Sequence, residues 1–241
     1  MTLAAVSPCG FSGASGLSLN ITRNNDLDRL EAEQFIHDVF ARAYGADVKH
    51  FMPRLMVLQS EERRLLAALG IRFAHSGGLF LENYLEVPVE QAVARAAHTA
   101  VARSSVAELG NLASYQRGGL RCLIIGLTAY LKGAGVKWAT FTAVPAVHNA
   151  FVKMGIPLYE LGFADPARLG GEAAHWGTYY DHKPRVVAGN VEAAYDYIAS
   201  ALSQGAVEAS SCCLWKNAYR MGRECAARDA AAAVPVLDAG C

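Results

Sequence analysis

Paired cysteine spacing is missing from this chain. Its six cysteines, at 9, 122, 212, 213, 225 and 241, include no C-x-x-C pair. A disulfide framework is therefore not indicated, and reduced thiols in a cytoplasmic setting are the expectation. The seven histidines contain no H-x-x-x-H pair. No Cys/His set has zinc-like spacing either, so no metal site is expected. There is no G-x-S-x-G elbow, which argues against a common serine hydrolase. Neither sign of charge is in excess, with 22 Lys and Arg against 22 Asp and Glu, so bulk electrostatics draw the chain neither to nucleic acid nor to an anionic membrane. Long apolar runs are also missing: the longest, "CLIIGLTAYL" at 122–131, falls well short of the roughly 20 residues of a spanning helix. The start, "MTLAAVSPCGFSGASG", has no basic region and no long apolar region, so no secretory signal is expected. No internal repeat is evident.

What the chain does have is apolar mass, 53% of 241 residues, enough for one large core with attachments. Residues 1–24 are rich in Ser, Gly and Asn without periodicity and are expected to be a flexible tail. Ile36, Val39, Phe40 and Ala43 recur at helical spacing, predicting a helix over about 27–44. "RLMVLQS" (54–60) and "LLAALGIRFA" (65–74) predict two strands around the charged turn "EERR", the second also compatible with a helix. Pro88 opens a helix with Val89, Val93, Ala96, Ala97 and Ala100 on one face. "SSVAELGNLA" (104–113) predicts a half-buried strand, and Leu120, Leu123, Ile124, Leu127 and Leu131 trace the helix after it. "WATFTAV" (138–144) predicts a strand, Pro145 to Met154 a short helix, and "PLYELG" and "RVVAG" (185–189) two further strands. Val191, Ala194, Tyr195, Ile198 and Leu202 mark another helix. The Ala-rich residues 205–241, with their cysteines, are expected to be a loose tail or a docking helix, leaving 25–204 as the main domain. Strands alternating with helices imply an α/β sheet.

The turn "QRGGLR" (116–121) lies between the strand and the long helix. A helix N-terminus offers unpaired N–H groups and a partial positive charge to an anion. The donors here would be the backbone of Arg117, Gly118, Gly119, Leu120 and Arg121. Glycine lets backbone approach a phosphate closely, and arginine adds charge-assisted hydrogen bonds. Taken alone, the stretch reads equally as a tight connector.

The wider sequence narrows this. "QRGGLR" resembles the acyl-CoA loop, Q/R-x-x-G-x-G/A, of the GNAT acyltransferase superfamily. The blocks "FMPRLMVL", "LFLENYLEVPVEQA", "ELGNLAS", "WATFTAV", "NAFVKMGI", "ADPARL" and "WGTYY" together resemble the thermostable hemolysin family over roughly residues 35–190. That family is similar to GNAT enzymes and, more remotely, to acyl-homoserine lactone synthases. The resemblance implies a GNAT-like mixed, mostly antiparallel sheet flanked by helices. It implies an acyltransferase that moves an acyl group from coenzyme A or an acyl carrier protein, as cosubstrate, to an amine of a small amino-acid-like acceptor, with no tightly bound cofactor. A homodimer stays open. The match departs at Arg121, where a Gly or Ala is expected, and at Phe151, where many GNAT enzymes carry a tyrosine that protonates the leaving thiolate.

The resemblance and the residues themselves together suggest roles. Glu108 is the candidate base that takes the proton of the attacking amine; its other reading is an ordinary strand carboxylate. Asn111 is a second catalytic candidate at the same strand end, and reads equally as a turn or bulge residue after Gly110. Gln116 to Arg121, with Asn149, are candidates for holding the donor. Glu82, Tyr84, Thr142, Trp176 and Tyr179 are candidates for the acceptor pocket: Glu82 could hold a cationic amine or be a solvated acidic turn, Thr142 could meet acceptor or pantetheine arm or be an ordinary strand residue, and the aromatic ones have a second reading as core anchors. Two rival functions are a membrane-active cytolysin, for which no insertable segment is evident, and a GNAT-like binding module without catalysis.

Overall fold

The apolar runs of the sequence assemble into one sheet. The computed structural model describes residues 16–24, 26–115, 117–205 and 209–232. Among them are seven strands: β1 (Ser18–Arg23), β2 (Arg54–Gln59), β3 (Leu65–Phe73), β4 (Val106–Ser114), β5 (Trp138–Ala143), β6 (Leu158–Phe163) and β7 (Arg185–Asn190). Their order is β1-β2-β3-β4-β5-β7-β6. Neighbours run antiparallel except β4 and β5, so the sheet is the mixed, mostly antiparallel one expected. The helices are α1 (Arg29–Tyr44), α2 (Val89–Ala97), α3 (Arg117–Gly133), α4 (Pro145–Lys153), α5 (Val191–Ser203) and α6 (Ala209–Ala232).

Side chains alternate across a strand, which sorts the core by face. Leu69, Ile71, Ala107, Leu109 and Phe141 pack beneath Leu123, Ile124 and Leu127 of α3, with Phe151, Ile198 and Trp215. On the other face Met52, Leu55, Val57, Ala68 and Ala113 meet Phe35, Ile36 and Phe40 of α1. A third cluster, at one end, joins Leu81, Tyr84, Val89 and Val93 to Val106, Trp138 and Val186.

The single parallel pair is short. β4 and β5 are in register from Val106↔Trp138 to Leu109↔Phe141. Beyond that point β4 continues beside β3 to Ser114, and β5 beside β7 to Ala143. The two strands part, and main-chain groups along both inner edges have no ladder partner. A bulge accompanies the parting: the β3/β4 register shifts between Ala68↔Ala113 and Gly70↔Gly110, and Asn111 sits at φ 51°. Extra residues on one strand bend it and sharpen its twist.

Three features differ from the sequence reading. The last residues of the expected N-terminal tail form β1, an edge strand paired with β2 through Ser18↔Gln59 to Arg23↔Arg54; residues 1–15 lie outside the described residues. β7 inserts between β5 and β6, an order that sequence proximity does not suggest. In the stretch expected as a loose tail or docking helix, α6 packs lengthwise on α3. It buries Leu214, Trp215, Ala218 and Cys225, stacks Trp215 on Tyr195 and ties Asp229 to Arg54 at 2.8 Å. Glycines make the approach close, since a Cβ on Gly222 would run into the carbonyl oxygen of Tyr130, and one on Gly133 into that of Tyr219. Cys122, Cys212, Cys213 and Cys225 form no disulfide; Cys9 and Cys241 lie outside the described residues.

Gly222→Ala is therefore expected to destabilise the fold by roughly 1–3 kcal/mol, the usual cost of overpacking. Thermal denaturation checks it: a lowered Tm is expected, and an unchanged one would mean that α6 does not seat on α3.

Candidate functional site

The parting of β4 and β5 opens into a cleft enclosing about 1350 Å³, part of it open solvent. Its walls come from both faces of the sheet. On the α3 face it is lined by Leu69, Leu109, Ile124, Leu127, Phe141 and Phe151, all apolar. On the α1 face it is lined by Arg72, Glu108, Asn111 and a belt of aromatic rings. A passage therefore runs from a polar, aromatic chamber, through the gap between the strands, to a greasy slot.

Glu108 is 2% exposed. Its carboxylate accepts hydrogen bonds from the backbone N–H of Phe80 (2.9 Å) and Leu81 (2.8 Å), at the start of the short 3-10 helix Phe80–Tyr84. Burial pushes its carboxyl pKa up from the ordinary 4.5, against the downward pull of the two N–H groups and of Arg72. A carboxylate offers about four lone-pair positions, so two bonds leave Glu108 able to accept a proton. Arg72 is its partner across the β3/β4 ladder, on the same face.

Asn111 is a buried bracket as well as a wall residue. Its Oδ1 accepts from Met52 N at 3.0 Å and its Nδ2 donates to His50 O at 3.2 Å. Asparagine tolerates the left-handed region better than most residues, and here its amide fastens segment 50–52 across the bulge.

The aromatic belt brings distant parts of the chain together. Phe40 and Tyr44 of α1, Phe80, and Trp176, Tyr179 and Tyr180 of segment 176–180 contact one another ring to ring. Tyr179 donates to the carbonyl of Thr142 at 3.3 Å, beside the parting. The Tyr84 and Tyr180 hydroxyls share a hydrogen bond of 2.5 Å. Burial, first of the causes, raises the pKa of Tyr84, Tyr179 and Tyr180, so these phenols stay protonated. Thr142, Tyr84, Trp176 and Tyr179 are thus all in the cleft wall.

The glycine turn lies where β4 hands over to α3. Gly119 is buried, and a Cβ there would sit 3.1 Å from the carbonyl of Leu66 and 3.2 Å from Ser114 Oγ. This glycine lets α3 press onto the sheet, a packing duty additional to any anion contact. Gly118, Leu120 and Arg121 are half-buried. Gln116 and the Arg117 side chain lie outside the described residues.

Gly118, Gly119, Leu120 and Arg121 are not part of the cleft wall, and neither are Glu82 and Asn149. Glu82 accepts from the N–H groups of Leu79 and Val89, both at 2.9 Å, and from Arg103 Nη1 at 2.6 Å and Nη2 at 3.0 Å. Arg103 also reaches Glu90 at 2.9 Å. The carboxylate is consumed in holding the 3-10 helix to α2. Asn149 lies on the exposed side of α4. Sequence reasoning missed Arg72, Phe80, Phe40 and Tyr44 as wall residues. The available signal was Arg72 itself, a lone arginine in the apolar run "LLAALGIRFA". Among the described residues no group of three or more His, Cys, Asp or Glu is placed to hold a metal ion, and no helix is long and apolar enough to cross a membrane.

The family model described as Thermostable hemolysin matches residues 22–195. The chain belongs to the thermostable hemolysin family. Its sequence matches no curated protein. Among solved structures, the family member is similar to a CoA-dependent acyl-homoserine lactone synthase, BjaI, with SAM and isopentyl-CoA: TM-score 0.52, 12% identity, 75% of this chain and 87% of that one. It is also similar to TofI in an apo form, at TM-score 0.51 and 12% identity over 74% and 96% of the two chains. A GCN5-related N-acetyltransferase from Kribbella flavida aligns at TM-score 0.42 and 12% identity, covering 71% and 96%. At such identities the likeness to BjaI and TofI is one of fold.

The Glu82 network has a pH signature. Arg103, with burial opposing it and the backbone N–H groups assisting, lowers the Glu82 pKa from 4.5 to about 2. A depressed carboxylate pKa gives stability that is present above the unfolded value and lost as pH falls through the folded one. Tm should therefore decline between pH 4.5 and about 2, and Glu82→Gln should flatten that part of the profile while lowering Tm at pH 7. A Glu82→Gln profile parallel to wild type in acid would show that the network does not hold the segment.

Proposed function

We propose that the chain is an N-acyltransferase that moves an acyl group from a thioester, carried by coenzyme A or an acyl carrier protein, to the amine of a small amino-acid-like acceptor. The observation that carries this reading is the passage through the sheet, with a buried carboxylate on one side of the parted strands and an apolar slot on the other. The shared fold with BjaI, described as a CoA-dependent synthase and seen with an acyl-CoA, supports it.

In this reading the donor arm runs from the N-terminal end of α3 along the parting, where unpaired main-chain groups of β4 can hydrogen-bond it. Gln116 to Arg121 would hold its phosphate-bearing end. The acyl chain enters the slot beside Leu109, Ile124 and Phe141. The acceptor approaches from the α1 face. An ammonium must become an amine before it attacks, and Glu108 takes that proton. The C–N bond forms, the carbonyl becomes a tetrahedral oxyanion that a β4 N–H can stabilise, and collapse breaks the C–S bond. Of the two protons lost by the ammonium, one leaves through Glu108 to solvent and the other ends on the thiol. Phe151 cannot supply the latter, whereas the protonated Tyr84–Tyr180 pair in the same cleft can relay it. Asn111 acts in this scheme by fixing the bulge; Asn149 and Glu82 would reach ligand only from outside the cleft wall.

Octanoyl-CoA and octanoyl-acyl carrier protein, each with a panel of amines, test the reading by thiol release and by mass spectrometry of the amide. Thioester-dependent amide formation with at least one carrier is expected. Glu108→Gln should lower kcat by roughly 10²–10⁴, the range for losing a positioned base, with donor affinity little changed. No thioester consumption above background with either carrier across the panel would overturn the proposal; a wild-type kcat in Glu108→Gln at every pH would remove Glu108 from it.

A further inference from the structure

Arg72 is a cation without a counterion in a largely apolar wall. It is half-buried on β3 and faces into the cleft. Its hydrogen bond is a long one, from Nη1 to the carbonyl of Gly78 at 3.4 Å. Among the described residues no carboxylate lies within ion-pair distance of it. Lys49, the other lysine or arginine of the wall, is already matched by Asp47 at 3.1 Å on the exposed rim. Glu108 stands opposite Arg72 in the ladder and is close enough for the guanidinium to bias its titration, yet the two do not pair. A buried carboxyl and a half-buried guanidinium that do not pair thus face the same chamber, walled by aromatic rings.

A guanidinium partly removed from water gains most from a carboxylate or phosphate that meets its planar fork. Position separates these two ligands. The donor's phosphates belong near the start of α3, past the end of β4 at Ser114. Arg72 is level with Glu108, roughly 20 Å back along the strand at about 3.3 Å per residue. An anion at Arg72 therefore belongs to the acceptor.

We infer that the acceptor is a free amino acid gripped at both ends, its ammonium facing Glu108 and its carboxylate taken by Arg72, with an apolar or aromatic side chain against Phe80 and Trp176. This rests on the acyltransferase reading and makes it more specific: amines that lack the carboxylate are poor ligands. Arg72 sets specificity here and takes no part in the bond changes.

Product-like probes test this without turnover. N-octanoyl-L-phenylalanine carries the carboxylate; N-octanoyl-phenethylamine is the same amide without it, and the methyl ester of the first masks it. Calorimetry on the full chain should give wild-type binding of the acid tighter than of the other two by about tenfold to a hundredfold, the worth of hydrogen bonds to a charged group. Arg72→Met keeps the apolar stem and removes the charge, so the preference should collapse to about one. Arg72→Lys should retain part of it. Circular dichroism and Tm establish that both variants fold. Equal wild-type affinity for acid and ester, or a preference that survives Arg72→Met, would overturn the inference. Turnover assays with L-phenylalanine and phenethylamine are read separately. No amide from either amine, together with no thioester consumption across the wider amine panel, would sink the acyltransferase reading, while the binding ratio would still decide whether Arg72 holds a carboxylate.

Discussion

Two hydrogen bonds from one amide hold the cleft open. Asn111 receives the N–H of Met52 and donates to the carbonyl of His50, and it does so from a left-handed backbone conformation that an ordinary strand residue avoids. The bulge it stabilises turns β4 away from β5 just after Leu109. Without that turn the parallel ladder would continue, the main-chain edges would satisfy each other, and the sheet would be a closed wall between two cores.

Because the sheet parts, it also divides labour. The α3 face offers surface with no polar group to desolvate, suited to hydrocarbon. The α1 face gathers Glu108, Arg72 and the tyrosine hydroxyls, enclosed by rings with little rotamer freedom to lose. Glu108 joins the two roles. The same N–H groups that oppose the upward push of burial on its carboxyl pKa also anchor the segment supplying Phe80 and Tyr84. Its placement is therefore structural and chemical at once, and the neighbouring Glu82–Arg103–Glu90 knot secures the far end of that segment.

Local elements were legible in the sequence because periodicity and punctuation agree there. Pro145 opens α4, the run Leu120 to Leu131 buries one face of α3, and "WATFTA" lies in β5. Gly110–Asn111 was readable as a bulge, though not which loop the asparagine would clasp. The order of β5, β7 and β6 was hidden, since it depends on pairings between segments far apart in the chain. α6 was obscure because it docks through Gly222 and a few buried side chains, which give little hydropathy contrast in an Ala-rich stretch. Glu82 looked like a ligand for a cationic amine; the cation that meets it is Arg103, a match invisible until the chain folds. Arg72 was visible but unremarked, because a single charge in an apolar run is usually read as its solvent-facing edge.

A passage that crosses a sheet imposes a topology on whatever is made inside it. An amide assembled at the gap has its hydrocarbon on one face and its head group on the other, like a thread through the eye of a needle. Neither end can simply retreat through its own doorway, since each is bulky or charged in the wrong compartment. In the proposed reaction the product would slide sideways along the slit, towards the open end where Ser114 and Ala143 diverge, the same way the next donor would come in. Departure and reloading in that reaction would then share one channel.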